Sequence, residues 1–256
     1  MVRYLKFIIL LVVSSCATLK PLPVHLRVSD TSALLEKIER DSGEVKGFVA
    51  EVRLTYFRDG QRLKGTGTIA CMVPGFLRYE ILGPHGGPIE AFTMDGSEFQ
   101  IAKLVENRFL YGPATPELLD ELLPIAPLNL KPEDWVNLLR GVVIIPRGAG
   151  LNYDATVGRF KLEYERENLS MEVEVDPETN KITRIRAASE GVTLYEVVIS
   201  MWDSKSGTPL DFEINSPSSK IQLRLRFREV QPIYPIPKEN FRLEVPRGTR
   251  PEYIGL

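Results

Sequence analysis

Two cysteines and two histidines are all the soft metal-ligating chemistry this chain of 256 residues contains. Cys16 is accounted for by an N-terminal motif, which leaves Cys71 without a partner for a structural disulfide. His25 and His85 have no Cys, Asp or second His at metal-ligand spacing. No G-x-S-x-G elbow, Walker loop or G-x-G-x-x-G turn into a helix is present. Gly65-Thr66-Gly67 sits inside a strand-like run and is no phosphate cradle. Neither sign of charge is in surplus: Lys+Arg 32 against Asp+Glu 34, a formal net charge of -2. That balance gives no footing for nucleic acid. No apolar stretch approaches the roughly twenty residues that span a bilayer as a helix. These absences point away from an enzyme, from a resident metal or cofactor and from nucleic acid as partner.

What is present begins at the N-terminus. Arg3 and Lys6 precede the apolar run Phe7 to Val13, and Val13-Ser14-Ser15-Cys16 follows. Positive residues, a short apolar core and small residues at a cleavage site are the layout of a secretory signal peptide. Its end resembles the lipobox of bacterial lipoproteins: an aliphatic residue, two small ones, then Cys. On that resemblance residues 1–15 are a signal peptide cut between Ser15 and Cys16. Cys16 then carries covalent diacylglycerol and an N-acyl chain, its thiolate being the nucleophile such a transfer needs. Each buried methylene contributes about 0.8 kcal/mol, so two or three chains hold a protein firmly on a bilayer. In enteric bacteria an Asp after the lipidated Cys retains a lipoprotein in the inner membrane. Ala17 here implies the periplasmic face of the outer membrane instead. An ordinary secretory signal is the alternative reading. Residues 16–28, with Pro21 and Pro23, read as a tether. About ten residues of it reach some 30 Å at full extension, which would keep the folded part close to its membrane.

Residues 29–256 form one expected domain. Ser29-Asp30 opens a helix with Leu34, Leu35 and Ile38 on one face. From Gly47 the period falls to two: Phe48, Val52, Leu54 and Tyr56 alternate with Glu51, Arg53 and Thr55, and Asp59-Gly60 marks a hairpin. The next strand runs from Leu63 to Val73, with Gly65 and Gly67 marking a bend or a close approach. Phe76 to Leu82, Ile89 to Met94, Phe99 to Leu104 and Arg108 to Tyr111 follow as strands, with Gly83-Pro84-His85-Gly86-Gly87-Pro88 an exposed loop. Two helices interrupt. Thr115 caps the first, with Pro116 at its start and Leu118, Leu119, Leu122 and Leu123 at helical spacing. Pro132-Glu133-Asp134 opens the second, Trp135, Leu138 and Leu139 form its apolar face, and Gly141 ends it. Six more strands lie between Arg159 and Val230, joined by turns such as Asp176 to Asn180.

The expected fold class is therefore α+β, mainly antiparallel β: roughly a dozen strand segments, giving an unclosed, half-open barrel of roughly eleven strands with the helices as lid or plug. A barrel this wide is not filled by its own side chains. The candidate lining of an apolar cavity is Val52, Leu54, Tyr56, Ile69, Phe92, Phe99, Ile101, Leu118, Leu122, Trp135 and Leu138. Such a cavity suits an acyl chain; a fully packed core fits the same pattern. Cys71 alternates with Ile69 and Val73 and reads as a small core residue. Arg224, Arg226 and Arg228 alternate with Leu223, Leu225 and Phe227. That row either binds an anionic partner or headgroup, or forms an outer face paired with an acidic strand such as Glu172 and Glu174.

Between Leu82 and Pro146 the chain resembles the outer-membrane lipoprotein receptors of the Lol pathway (LolB), within the LolA/LolB-like fold. Leu82-Gly83-Pro84-His85-Gly86 resembles that family's exposed Asn/Gly-Pro-Leu-Gly loop. Leu122-Leu123-Pro124-Ile125 and Trp135-Val136-Asn137-Leu138-Leu139-Arg140-Gly141 resemble its Pro-Ile/Val-Pro segment and Trp-containing helix. The resemblance implies a lipid-anchored, monomeric protein that takes lipoprotein acyl chains from a periplasmic LolA-like carrier and helps place lipoproteins in the outer membrane, without covalent chemistry. It makes Leu82, Gly83, Pro84, His85 and Gly86 the candidate membrane or release loop. The family presents a Leu where this chain has His85, and the tail from Gln231 to Leu256 extends past the family's usual end. The alternative is an envelope-assembly lipoprotein that uses the same fold for protein contacts.

Overall fold

Alternation of apolar and polar residues drives almost everything after Gly47 into strands, and the computed structural model places those strands in one sheet. It describes residues 19–42, 45–58, 60–83, 85–123 and 128–255. The expectations for Ser15, Cys16, Pro84, Pro124 and Ile125 fall outside the described residues. Helix α1 (Thr31–Ser42) comes first. Strands β1 (Gly47–Arg58), β2 (Gln61–Met72), β3 (Phe76–Leu82), β4 (Pro88–Asp95), β5 (Glu98–Lys103) and β6 (Arg108–Pro113) then form a meander. Helices α2 (Pro116–Leu122) and α3 (Pro132–Leu139) separate it from β7 (Gly150–Asp154), β8 (Arg159–Arg166), β9 (Leu169–Val175), β10 (Ile182–Ser189), β11 (Val192–Trp202), β12 (Pro209–Ser216) and β13 (Ile221–Pro232). A short β14 (Pro251–Tyr253) closes the chain.

The strand order is β14-β6-β5-β4-β3-β2-β1-β13-β12-β11-β10-β9-β8-β7, so two meanders meet where β1 pairs with β13. Every pairing is antiparallel except β14 with β6. The outer edges of β14 and β7 do not pair with each other, so the sheet is unclosed. It has fourteen strands where roughly eleven were expected. The additions, β7 and β14, are edge strands of five and three residues, and β14 opens on a proline. Such short segments carry too few alternations to register as period two.

Face assignment follows the pleat. Phe48, Ala50 and Val52 of β1, Ile69 and Cys71 of β2, and Phe92 and Met94 of β4 are buried in one cluster. Leu34, Leu35 and Ile38 of α1, Leu118 and Leu119 of α2, and Trp135, Val136, Leu138 and Leu139 of α3 belong to the same cluster. Thr115 caps α2 by accepting from the Leu118 amide, with Pro116 in the first turn. Gly141, at φ +73°, lets the chain turn away from α3 while it passes against Trp202.

The opposite face of β2 to β5 is covered by the C-terminal segment. Phe241 and Ile236 pack on Met72 and Phe76 in a second small core. Thr93 Oγ1 donates to the Phe241 carbonyl (2.8 Å) and Gln100 Oε1 accepts from the Leu243 amide (2.8 Å). Arg78 Nη1 donates to the Asn240 carbonyl (2.7 Å). The strap ends with the Ile254 amide on the Tyr111 carbonyl, an approach that Gly112 permits because a Cβ there would lie 1.9 Å from the Ile254 oxygen.

Candidate functional site

An apolar pocket of about 350 Å³ opens on the inner face where β1, β2, β3 and β13 meet α3. Its position follows from register. Leu54 sits opposite Gly65 on one side and Leu225 on the other, and Tyr56 sits opposite Leu63 and Leu223. A glycine opposite a leucine leaves an unfilled volume. Val52, Leu54, Tyr56, Ile69, Leu77, Tyr79 and Ile81 line it from the strands, and Leu123, Trp135 and Leu139 close it from the helical side. Gly67 serves a different purpose: a Cβ there would fall 1.9 Å from the Glu80 carbonyl oxygen, so it allows β2 and β3 to approach.

Polar groups in the wall are few. Tyr79 stacks on Phe92 with centroids 5.2 Å apart and donates its hydroxyl hydrogen to Glu90 Oε1 at 2.9 Å. Burial, and then the neighbouring Glu90 carboxylate, hold this hydroxyl well above the usual tyrosine range. The Trp135 indole N–H is buried and has no acceptor among the described residues. Among those residues no group of His, Cys, Asp and Glu is arranged to hold a metal ion. Beside the pocket, Tyr56, Leu63, Leu122 and Leu123 continue into a second depression whose rim carries Arg58, Glu90, Lys103 and Glu121.

The pocket has a side opening. Strand β3 ends at Leu82, opposite Thr66, so Gln61 to Gly65 of β2 extend past it with no strand partner on that side among the described residues. The loop after β3 lies at this opening: Leu82 and Gly83 line it, Leu82 half-buried, while His85 and Gly86 are exposed. Beside it lies a wider groove of about 870 Å³ that shares Leu54, Lys64, Gly65, Ile81 and Ile89 with the apolar pocket.

Of the eleven residues expected to line a cavity, Val52, Leu54, Tyr56, Ile69 and Trp135 come together in the pocket wall. Leu122 lines the adjoining depression. Leu138 lies on a separate crevice with Met171 and Ile185. Phe92, Phe99, Ile101 and Leu118 are buried at 2% exposure or less in filled core and take no part in the pocket wall. Leu223 and Leu225 enter the wall from the far end of the chain, and their alternation in sequence was the available signal. Cys71 is fully buried, and burial pushes its thiol up to about 12. The arginine row is divided. Asp211, on β12, takes Arg224 Nη2 at 2.8 Å and Arg226 Nε at 2.9 Å, while Glu172 and Glu174 pair with Lys161 and Arg184 instead.

No protein-family model matches this sequence, and no curated protein does. Solved structures do. A DUF1329 family protein from Desulfovibrio piger superposes with a TM-score of 0.61 at 11% identity, covering 84% of this chain and 98% of that one. A LolA superfamily protein from Nitrosomonas europaea gives 0.58 at 11% identity, covering 84% and 99%. A putative outer membrane lipoprotein-sorting protein domain from Vibrio parahaemolyticus gives 0.58 at 9%, covering 81% and 94%. At such identities the likeness establishes the fold alone, an unclosed LolA-like sheet.

Proposed function

We propose that this chain is a lipid-anchored envelope protein whose apolar pocket holds an acyl chain of a lipoprotein or lipid and which helps localise lipoproteins to the outer membrane, in the manner of the LolB receptors. In this reading Cys16 carries the anchor, a LolA-like periplasmic carrier is the donor, and no covalent step occurs. The pocket carries the reading. It is unfilled by the protein's own side chains, nearly free of polar groups, bounded by α3 and the segment after α2, and open on one side, all in a LolA-like sheet. Its volume is near the lower end of the range of about 300–1,000 Å³ seen for small-molecule sites, which suits one chain better than the two or three of a whole lipoprotein anchor.

The test is an organic extract of the purified chain beginning at Ala17, which keeps every described residue, analysed by mass spectrometry and followed by titration with a fluorescent acyl probe. Retained acyl lipid and saturable probe binding, lost when Leu54 and Leu225 are both changed to Asp, support the reading. A lipid-free extract with no saturable binding refutes it.

A further inference from the structure

The wider groove beside the pocket has a charge pattern that an acyl chain does not require. It is lined by Arg53, Arg62, Lys64, Arg224 and Arg226, with Glu213 as its one carboxylate among the described residues. Asp211 neutralises part of the Arg224 and Arg226 pair from β12. Glu213, directly opposite Arg224, accepts from Gln222 (2.8 Å) and Asn215 (3.3 Å) and offsets part of the Arg224 charge, which leaves Arg53 and Lys64 as uncompensated cations of the groove among the described residues. Arg53 and Lys64 are exposed, and no described carboxylate pairs with either. Arg62 lies over the Phe57 ring, 5.2 Å from its centroid, which restricts the guanidinium beside the groove.

Register makes the concentration more telling. Arg53 stands directly opposite Arg226 across the β1–β13 seam. Like charges in directly opposed positions are unfavourable, and a chain of net charge -2 has carboxylates enough to avoid the arrangement. Asp211, opposite Arg226 on β12, offsets part of that penalty, and an anion bound across the Arg53 and Arg226 side chains would offset more of it. The pleat sets Arg53 and Arg226 on the face of the sheet opposite Leu54 and Leu225, and the groove meets the lining of the apolar pocket at Lys64 and Gly65, beyond the end of β3.

We infer that the groove is a phosphate subsite and that the ligand is an anionic glycerophospholipid, its acyl chain in the pocket and its phosphodiester held by Arg53 and Lys64 with Arg226. Guanidinium groups suit phosphate oxygens because they donate in a planar fork. The inference rests on the acyl-pocket reading and refines it. The lipid on a lipoprotein's N-terminal cysteine has no phosphate, so the subsite adds affinity for a phospholipid to what the pocket gives any acyl chain.

The experiment compares lysophosphatidylglycerol with the monoacylglycerol of the same chain length, by calorimetric titration of the chain beginning at Ala17. The expected result is a preference of roughly tenfold for the phosphate-bearing lipid, the scale of one exposed charge-assisted contact, shrinking as salt is raised. In an Arg53→Ala/Lys64→Ala variant the preference falls to about twofold or less while the melting temperature stays as in wild type. Arg53→Lys with Lys64 intact keeps most of it. Equal binding of the two lipids by the wild type overturns the inference and leaves the pocket reading standing. So does a preference that survives the double variant. If neither lipid binds, the pocket reading fails and the inference with it. Glycerophosphoglycerol, the headgroup without a chain, should bind at least a hundredfold more weakly; comparable binding would make this a free-phosphate site and overturn the lipid assignment.

Discussion

Filling the pocket from its own wall gives stability and ligand binding opposite signs, and Gly65→Val does this. A Cβ on Gly65 would stand 3.3 Å from Leu54 Cγ and 3.4 Å from Ile81 Cγ2, both side-chain atoms that can move slightly. Valine then adds three carbons to a wall that borders about 350 Å³ of vacant apolar space. Replacing a strand-interior glycine gains roughly 0.5–1 kcal/mol, and partial burial of the new carbons adds about 1 kcal/mol more. For a chain of this length each kcal/mol raises the melting temperature by about 2–4 °C, so the ligand-free variant should melt several degrees higher. The same carbons displace about two methylenes of a bound chain, roughly 1.6 kcal/mol or about fifteenfold in dissociation constant. Thermal melts by circular dichroism and displacement of a fluorescent acyl probe measure both. Gly67→Val is the contrasting control, because its Cβ would meet the Glu80 backbone, and it should lose stability outright. A Gly65→Val protein that melts lower and binds acyl probe undiminished would refute the vacancy on which the reasoning depends.

Three further outcomes follow from buried groups. Cys71, Tyr164 and Tyr195 are all pushed up to about 12 by burial, from ordinary values of 9.0 for the thiol and 10.0 for the phenols. Each binds its proton more tightly folded than unfolded, so its contribution is full below pH 9 and is lost as pH rises through about 12. Above its ordinary value each group removes about 1.4 kcal/mol per pH unit, and melting temperature should fall steeply from pH 9 to 12; an unchanged melt at pH 11 would contradict this. Cys71 should also resist a thiol reagent at pH 8 until denaturant is added. On the other face, Phe241→Ala removes a ring that is 2% exposed and packs tilted against Phe76, centroids 5.3 Å apart. It should cost about 3–5 kcal/mol by denaturant titration. A loss below 1 kcal/mol would mean that the strap lies on the sheet without stabilising it.

Much of the sheet was legible because its strands are half-buried and alternate cleanly. The twelve segments read from Phe48 to Val230 correspond to β1 to β6 and β8 to β13, and Thr115-Pro116 and Gly141 mark helix ends by chemistry that needs no tertiary context. The pocket was legible only in part. Period two shows which face a residue occupies, not whether that face is filled. Phe92, Phe99 and Ile101 share the inward face with Val52 and Leu54 yet lie where large side chains meet and no space remains. The vacancy arises where Gly65 stands opposite Leu54, a pairing fixed by hairpin register, and where β13 supplies Leu223 and Leu225 from more than a hundred residues away. The strap had no periodic signal at all. Its hold on the sheet comes from single contacts such as Thr93 to the Phe241 carbonyl, which an aperiodic, proline-rich segment does not announce.

Strand direction also decides where the pocket mouth stands relative to the N-terminus. The β1–β2 hairpin lies at the same end of the sheet as the turns after β8, β10 and β12, since Arg58 pairs with Ile221, Ser189 with Val192 and Arg166 with Leu169. The β7–β8 turn, where Asp154 pairs with Arg159, is therefore at the opposite end. Lys20 is docked there: its amide donates to the Ala155 carbonyl at 2.7 Å, and its own carbonyl accepts from the Tyr153 hydroxyl at 2.7 Å. Four residues on from Cys16, that contact brings a lipid on Cys16 within about 14 Å of the β7–β8 turn, well short of the 30 Å that the whole tether would allow. With Cys16 lipidated as proposed and Lys20 docked, the anchor is expected at the end of the sheet opposite the β1–β2 hairpin and the pocket mouth beside it. The lipidated protein on vesicles carrying a headgroup fluorophore tests this by energy transfer to dyes attached at Thr156 or at Arg62. Transfer should be strong from Thr156 and weak from Arg62, and Tyr153→Phe should narrow the difference by loosening the Lys20 contact. Equal transfer in the unaltered protein would show that the docked geometry does not govern how the protein stands on its membrane.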